Sequence, residues 1–119
     1  MKSLVPMAHV KDVSASIAFY RKLGFDVRDT FVPPGATDLS WAWLESDGAK
    51  LMVARADAPL DGALQGILFY MYCEDVAATH AALVAEGVAV GPLERRFYAP
   101  QGEFRLVDPD GYASMVIQR

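Results

Sequence analysis

The chain has 119 residues, enough for one compact domain, and its 53 % hydrophobic and 22 % charged residues describe a globular, not a disordered, protein. A net charge of −4 and a pI near 5.0 argue against nucleic acid as a partner, because phosphates reward a basic face, and mildly favour neutral or cationic small ligands. The single cysteine, Cys73, excludes an intrachain disulfide and fits a cytoplasmic location, while no apolar stretch suits a signal peptide or a membrane span.

In chain order, Leu4 to Val10 reads as a strand, with Pro6 tolerated near its start or on an edge. Asp12 is placed to cap a helix whose stripe is Val13, Ser16, Ile17, Tyr20 and Leu23. Gly24 stands where such a helix ends in a left-handed residue. Phe25 to Val32 is the next strand, broken by Pro33-Pro34-Gly35. Ser40 to Glu45 and Ala49 to Ala54 flank Ser46-Asp47-Gly48, a tight hairpin turn.

After a linker at 57–65, the same order returns. Ile67 to Cys73 is a strand, Asp75 caps a helix carrying Val76, His80 and Leu83, and Gly87 ends it. Val88 to Val90 is a short strand, and Leu93 to Gly102 a polar-aromatic loop or irregular strand. Glu103 to Val107 and Tyr112 to Ile117 form the last hairpin around Asp108-Pro109-Asp110-Gly111. Cys73, in an apolar run, reads as a small core hydrophobe.

The two halves are copies. Sliding the chain by 63 residues brings Asp12-Val13-Ser14-Ala15 onto Asp75-Val76-Ala77-Ala78, Gly24 onto Gly87, Asp47-Gly48 onto Asp110-Gly111 and Met52-Val53 onto Met115-Val116. The organisation expected is therefore a single 119-residue domain of two βαβββ modules, 1–56 and 66–119. The fold class is α+β, with a helix on one face of each four-stranded sheet. Because the other faces are apolar too, the two sheets are expected to curve around a shared cavity.

Two segments carry a family resemblance. Val10-Lys11-Asp12-Val13-Ser14-Ala15-Ser16-Ile17-Ala18-Phe19-Tyr20-Arg21-Lys22-Leu23-Gly24-Phe25 resembles the opening of the vicinal oxygen chelate superfamily. Gly102-Glu103-Phe104-Arg105-Leu106-Val107-Asp108-Pro109-Asp110-Gly111-Tyr112 resembles its closing hairpin. That superfamily includes glyoxalase I, extradiol dioxygenases, fosfomycin resistance enzymes and bleomycin resistance proteins. These motifs specify a fold and say little about chemistry. In metal-using members each module supplies ligands from its first and last strands. The resemblance maps those positions onto Val5 and Leu68, and Met52 and Met115. None is a hard ligand for a divalent ion, so no metal and no other cofactor is expected.

The candidate ligand-binding residues follow from strand alternation. His9 shares a face with Val5 and Met7 and is either a ligand contact, a base, or a hydrogen-bonded residue without chemistry. Tyr70 and Tyr72 share a face with Leu68 and would give an apolar hollow a polar end, unless they are ordinary sheet packing. Trp41 and Trp43 correspond by the repeat to Phe104 and Leu106. They either stack on a ligand or form core beneath the helix, since strand register is open. Met52 and Met115 offer soft, adaptable surface or plain core filling. Glu45, Glu103, Arg105, Arg95 and Arg96 are rim charges, mostly solvated, and His80 belongs to a helix stripe.

Two functions compete. The first, implied by the resemblance, is metal-independent binding of the bleomycin-resistance type: antibiotic resistance by sequestering a hydrophobic or cationic aromatic small molecule, in a homodimer. The second is a glyoxalase- or dioxygenase-like lyase or isomerase, with a displaced divalent-metal site near His9. It needs further ligands converging on His9, which the sequence does not offer.

Overall fold

The computed structural model describes residues 1–119. The chain divides into two compact units, Met1–Leu60 and Asp61–Arg119. The first contains β1 (Met7–Val10), α1 (Val13–Lys22), β2 (Asp26–Phe31), β3 (Trp41–Ser46) and β4 (Ala49–Arg55). The second contains a short 3-10 turn (Gly62–Leu64), β5 (Leu68–Cys73), α2 (Val76–Ala85), β6 (Glu94–Arg96), β7 (Ala99–Val107) and β8 (Ala113–Gln118). Each unit holds one four-stranded sheet, of order β1-β4-β3-β2 and β5-β8-β7-β6. In both, the first strand runs parallel to the last and the other pairs are antiparallel. This is the α+β architecture expected from the pattern. No helix is long and apolar enough to cross a membrane.

The helix signals act as the residues dictate. Asp12 accepts from the Ala15 amide at 3.2 Å and Asp75 from the Ala78 amide at 2.9 Å, satisfying a free donor in each first turn. Gly24 and Gly87, one residue past each C-cap, take φ of +91° and +78°, values a side chain would resist. Helix α1 buries Val13, Ser16, Ile17 and Tyr20, and alternate strand residues Ala8, Val10, Ala42, Leu44, Leu51 and Val53 are buried with them. In the second unit Val76 and Leu83 of α2 are buried, as are Phe104, Leu106, Ser114 and Val116. Each fully buried aliphatic side chain of this kind contributes about 1.5–3 kcal/mol.

Three expectations need correction. The strand placed at Val88 to Val90 is only an isolated bridge from Val90 to Leu106. The fourth strand of the second sheet is instead β6, inside the segment expected to be irregular, where Glu94 pairs with Glu103 and Arg96 with Ala99. The first strand begins at Met7, not Leu4, leaving Pro6, which cannot donate to a ladder, outside it.

The third correction concerns the repeat. Trp43 lies opposite Met52, and Arg105 lies opposite Met115. Met52 and Met115 keep the 63-residue spacing, so Trp43 matches Arg105 and Trp41 matches Glu103, at a spacing one residue shorter. Phe104 and Leu106 match Ala42 and Leu44 on the helix-facing side, not the tryptophans. The cause is the hairpin. Ser46 pairs with Ala49 across a two-residue turn, whereas Val107 pairs with Ala113 across five residues, Asp108 to Tyr112. Because strand side chains alternate, a one-residue change in spacing moves every residue of β7 to the other face.

Candidate functional site

The side of each sheet away from its helix collects the seven candidate residues, four in the first unit and three in the second. In the first unit, ladder register sets two cross-strand rows. His9 lies beside Ala54, which lies beside Trp41, which lies beside Phe31. Met7, Met52, Trp43 and Asp29 form the adjacent row. Adjacent strands are about 4.8 Å apart, so imidazole and indole stand two strands apart with only the methyl group of Ala54 between. The buried set on β3 is Ala42 and Leu44, both at 0 % exposure, so the indoles face away from the helix and are half-buried. Trp43 Nε1 donates to Glu45 Oε1 at 2.8 Å, which orients the ring, and Glu45 meets Arg28 at 3.5 Å. Glu45, expected to be solvated, thus holds an indole in place.

The second unit brings Tyr70, Met115 and Arg105 into one row, and Tyr72, Ile117, Glu103 and Glu94 into the next. Tyr70 and Tyr72 are 49 % and 56 % exposed, so they are not sheet-packing core. Arg119 stands over the Tyr72 ring, 5.1 Å from its centroid. Beside these rows a cavity of about 650 Å³ opens, lined by the strip from Ala89 to Pro92, by Glu94 and Arg96 of β6, by β7 from Glu103 to Val107, and by Met115. Its volume is that of a small-molecule site.

The cavity wall is fixed from behind by His80. Its Nε2 lies 2.9 Å from the Gly91 carbonyl oxygen, and its ring meets Phe104 edge-on at 4.9 Å. The Gly91 amide donates to the Arg105 carbonyl at 2.7 Å, in a space where a side chain would crowd that oxygen. His80 is therefore a half-buried link between α2 and the cavity wall, more than a stripe residue. Cys73 is half-buried, its sulfur 3.6 Å from the Ile117 carbonyl oxygen.

Glu103 is the residue that sequence reasoning missed. The sequence places it among rim charges that are mostly solvated, whereas it is only 4 % exposed and lines the cavity. The Tyr98 hydroxyl donates to its Oε1 at 2.7 Å, and Arg96 Nε is 3.8 Å from the same oxygen. Its Oε2 is buried with no hydrogen-bond partner. Accepting the Tyr98 proton donor, Glu103 holds the phenol's pKa above the ordinary tyrosine value. The one available signal was Gly102, which takes φ of +112° beside the register shift between β6 and β7. A glycine at a bulge re-aims the next side chain.

The residues do not fit a divalent metal. Val5 precedes β1, two residues before Met7, the ladder partner of Met52. Leu68 pairs with Ala113, two residues before Met115. Aliphatic groups and thioethers are poor partners for hard ions, and no three His, Cys, Asp or Glu side chains gather at His9 or elsewhere.

Against known proteins, the sequence profile of the Glyoxalase/Bleomycin resistance protein/Dioxygenase superfamily matches residues 5–116. The chain belongs to that superfamily. A search of curated proteins finds no match. Among solved structures, the chain is similar to the bleomycin resistance determinant encoded on transposon Tn5, at 20 % identity and a TM-score of 0.78, covering 100 % of this chain and 98 % of that one. It is similar to TnmS3, an antibiotic-binding protein from Streptomyces sp. CB03234, at 26 % identity and a TM-score of 0.73, covering 99 % and 98 %. It is equally similar in sequence, at 26 %, to a protein of unknown function from Agrobacterium tumefaciens, with a TM-score of 0.75 and coverage of 100 % and 94 %. The open sheet faces of this chain carry indoles, phenols and thioethers.

Proposed function

We propose that this superfamily member is a metal-independent small-molecule binding protein that sequesters a hydrophobic or cationic aromatic ligand on the open faces of its sheets. The observation that carries the reading is the placement of Trp41 and Trp43. Both are half-buried and turned away from the helix, Trp43 is held by Glu45, and His9 and Met52 lie on the same face. Flat rings on a rigid strand stack on aromatic or cationic groups, and methionine adapts to shape. Tyr70, Tyr72 and Met115 supply a second such face, with phenols that can orient a guest. Similarity to antibiotic-binding and bleomycin-resistance proteins supports the same reading. Binding of this kind breaks no bond.

The protein works as a cytoplasmic homodimer in this reading. Met7, Phe31, Leu68, Tyr70 and Tyr72 are large hydrophobic side chains exposed on the open faces, and exposed apolar patches mark interaction surfaces. A monomeric sedimentation profile at micromolar concentration removes the dimer.

The test is a thermal-shift screen of neutral and cationic aromatic compounds, with and without a chelator. A ligand at ~100 times its dissociation constant stabilises by about 2.7 kcal/mol. A shift for flat aromatic guests that survives the chelator is the expected result. A flat response across the panel, or a shift lost with the chelator, overturns the proposal.

A further inference from the structure

Glu103 combines features that structural roles do not explain. Its side chain lies on the wall of the second unit's cavity and is 95 % buried, being 5 % exposed. One oxygen is taken by the Tyr98 hydroxyl at 2.7 Å. The other is buried and unbonded. A buried, half-satisfied carboxylate is a cost to folding that an apolar residue would avoid. Its neighbours on β7, Phe104 and Leu106, are apolar and buried on the opposite side, so nothing in the sheet pattern demands an acid there.

The charges around it are unevenly matched. Arg96 is the one cation within ion-pair distance of Glu103, at 3.8 Å, and it already holds Glu94 at 2.6 Å. Arg105 also lines the cavity but is exposed and makes no ion pair with Glu103. On the cavity wall Glu94 and Glu103 thus share the Arg96 guanidinium. Met115, on the same open side of the sheet, supplies apolar wall to the cavity.

The cover over Glu103 is slight. Tyr98 and Phe97 form the tip of the β6–β7 hairpin, between paired Arg96 and Ala99. Phe97 is 98 % exposed and Tyr98 is 51 % exposed, and their rings meet edge-on with centroids 5.2 Å apart. A two-residue tip carrying an exposed phenol can turn aside without disturbing the core.

We propose that Glu103 is the polar anchor of this cavity, that it takes the ammonium group of an aryl-alkyl amine, and that Tyr98 is the stand-in donor the amine displaces. This rests on the binding reading above and names the chemistry its ligand must carry. An ammonium offers three donors and a positive charge. It can satisfy both carboxylate oxygens of Glu103, including the one left unbonded, while the aryl body lies on the apolar wall. Charge-assisted bonds of this type are the strong ones.

The experiment compares naphthylmethylamine with naphthylmethanol, its neutral counterpart, by calorimetric titration of the full chain, its Glu103→Gln variant and its Tyr98→Phe variant. Glutamine keeps the shape and an acceptor for Tyr98, so the variant folds. The amine is expected to bind the parent about tenfold more tightly than the alcohol, an advantage lost in Glu103→Gln. Tyr98→Phe, which removes the competing donor, is expected to tighten amine binding by about threefold and leave the alcohol unchanged. Equal binding of amine and alcohol, or an advantage that persists in Glu103→Gln, overturns the anchor while leaving the binding reading intact. Failure of both guests to bind overturns both. Weaker amine binding in Tyr98→Phe overturns the displacement.

Discussion

The two units share one topology but spend their open faces differently. At matched ladder positions the first carries Trp41 and Trp43 where the second carries Glu103 and Arg105. One face is flat, aromatic and held by a single indole–carboxylate bond, and the other is a cavity with a buried acid. The helix-facing sides differ in a compensating way. The first unit buries Tyr20 on its helix against a sheet that carries Ala42. The second buries Leu83 on its helix and Phe104 on the matching strand. Bulk has moved from helix to strand between the copies. Duplication fixes the scaffold, and a one-residue change of spacing at the hairpin decides which side chains the scaffold offers to a ligand.

That contrast can be broken by mutation. The largest effect is expected at Phe104. Its removal as Phe104→Ala empties the fully buried space between α2 and the sheet, and costs about 4 kcal/mol by denaturant unfolding. A loss below about 1 kcal/mol contradicts the claim that the second unit keeps its bulk on the strand. Next comes the hairpin. Gly111 has φ of +89°, and a Cβ there would stand 2.4 Å from the Gly62 Cα. Gly48, which the repeat pairs with it, has nothing within 4 Å. Gly111→Ala is expected to cost about 3 kcal/mol and Gly48→Ala less than about 0.5 kcal/mol. Similar costs at both positions mean that the two turns are equivalent after all. The smallest effect is at the helix caps, where the copies have not diverged. Asp12→Ala and Asp75→Ala should each cost about 1 kcal/mol, and a clear inequality between them locates a difference the cap geometry does not show.

Much of this fold was legible in the sequence because its signals are local. The capping aspartates, the glycines after each helix and the two hairpins are set by backbone chemistry that a few residues express. Alternation alone grouped His9 with Met7, and Tyr70 with Tyr72, on one strand face each, but it left open which face Trp41 and Trp43 present. What was not legible depends on longer pairing. The spacing change in the last hairpin is invisible to a constant-offset comparison, since Asp47-Gly48 and Asp110-Gly111 still align. It was therefore impossible to see that Phe104 and Leu106 face the helix while the tryptophans do not. Glu103 was hidden for the same reason: its burial comes from Tyr98 and the strand β6, which pairs with it only through a bulge.

The most direct test uses the two tryptophans, the only ones in the chain and both on the open face of the first unit. Their fluorescence therefore reports that face alone. A flat aromatic guest is titrated in the presence of a chelator and the emission is followed. A saturable change, abolished when Trp41 and Trp43 are replaced by leucine in a folded variant, is the predicted result. Tryptophan emission that stays constant with every aromatic guest, including guests that bind by calorimetry, contradicts the account.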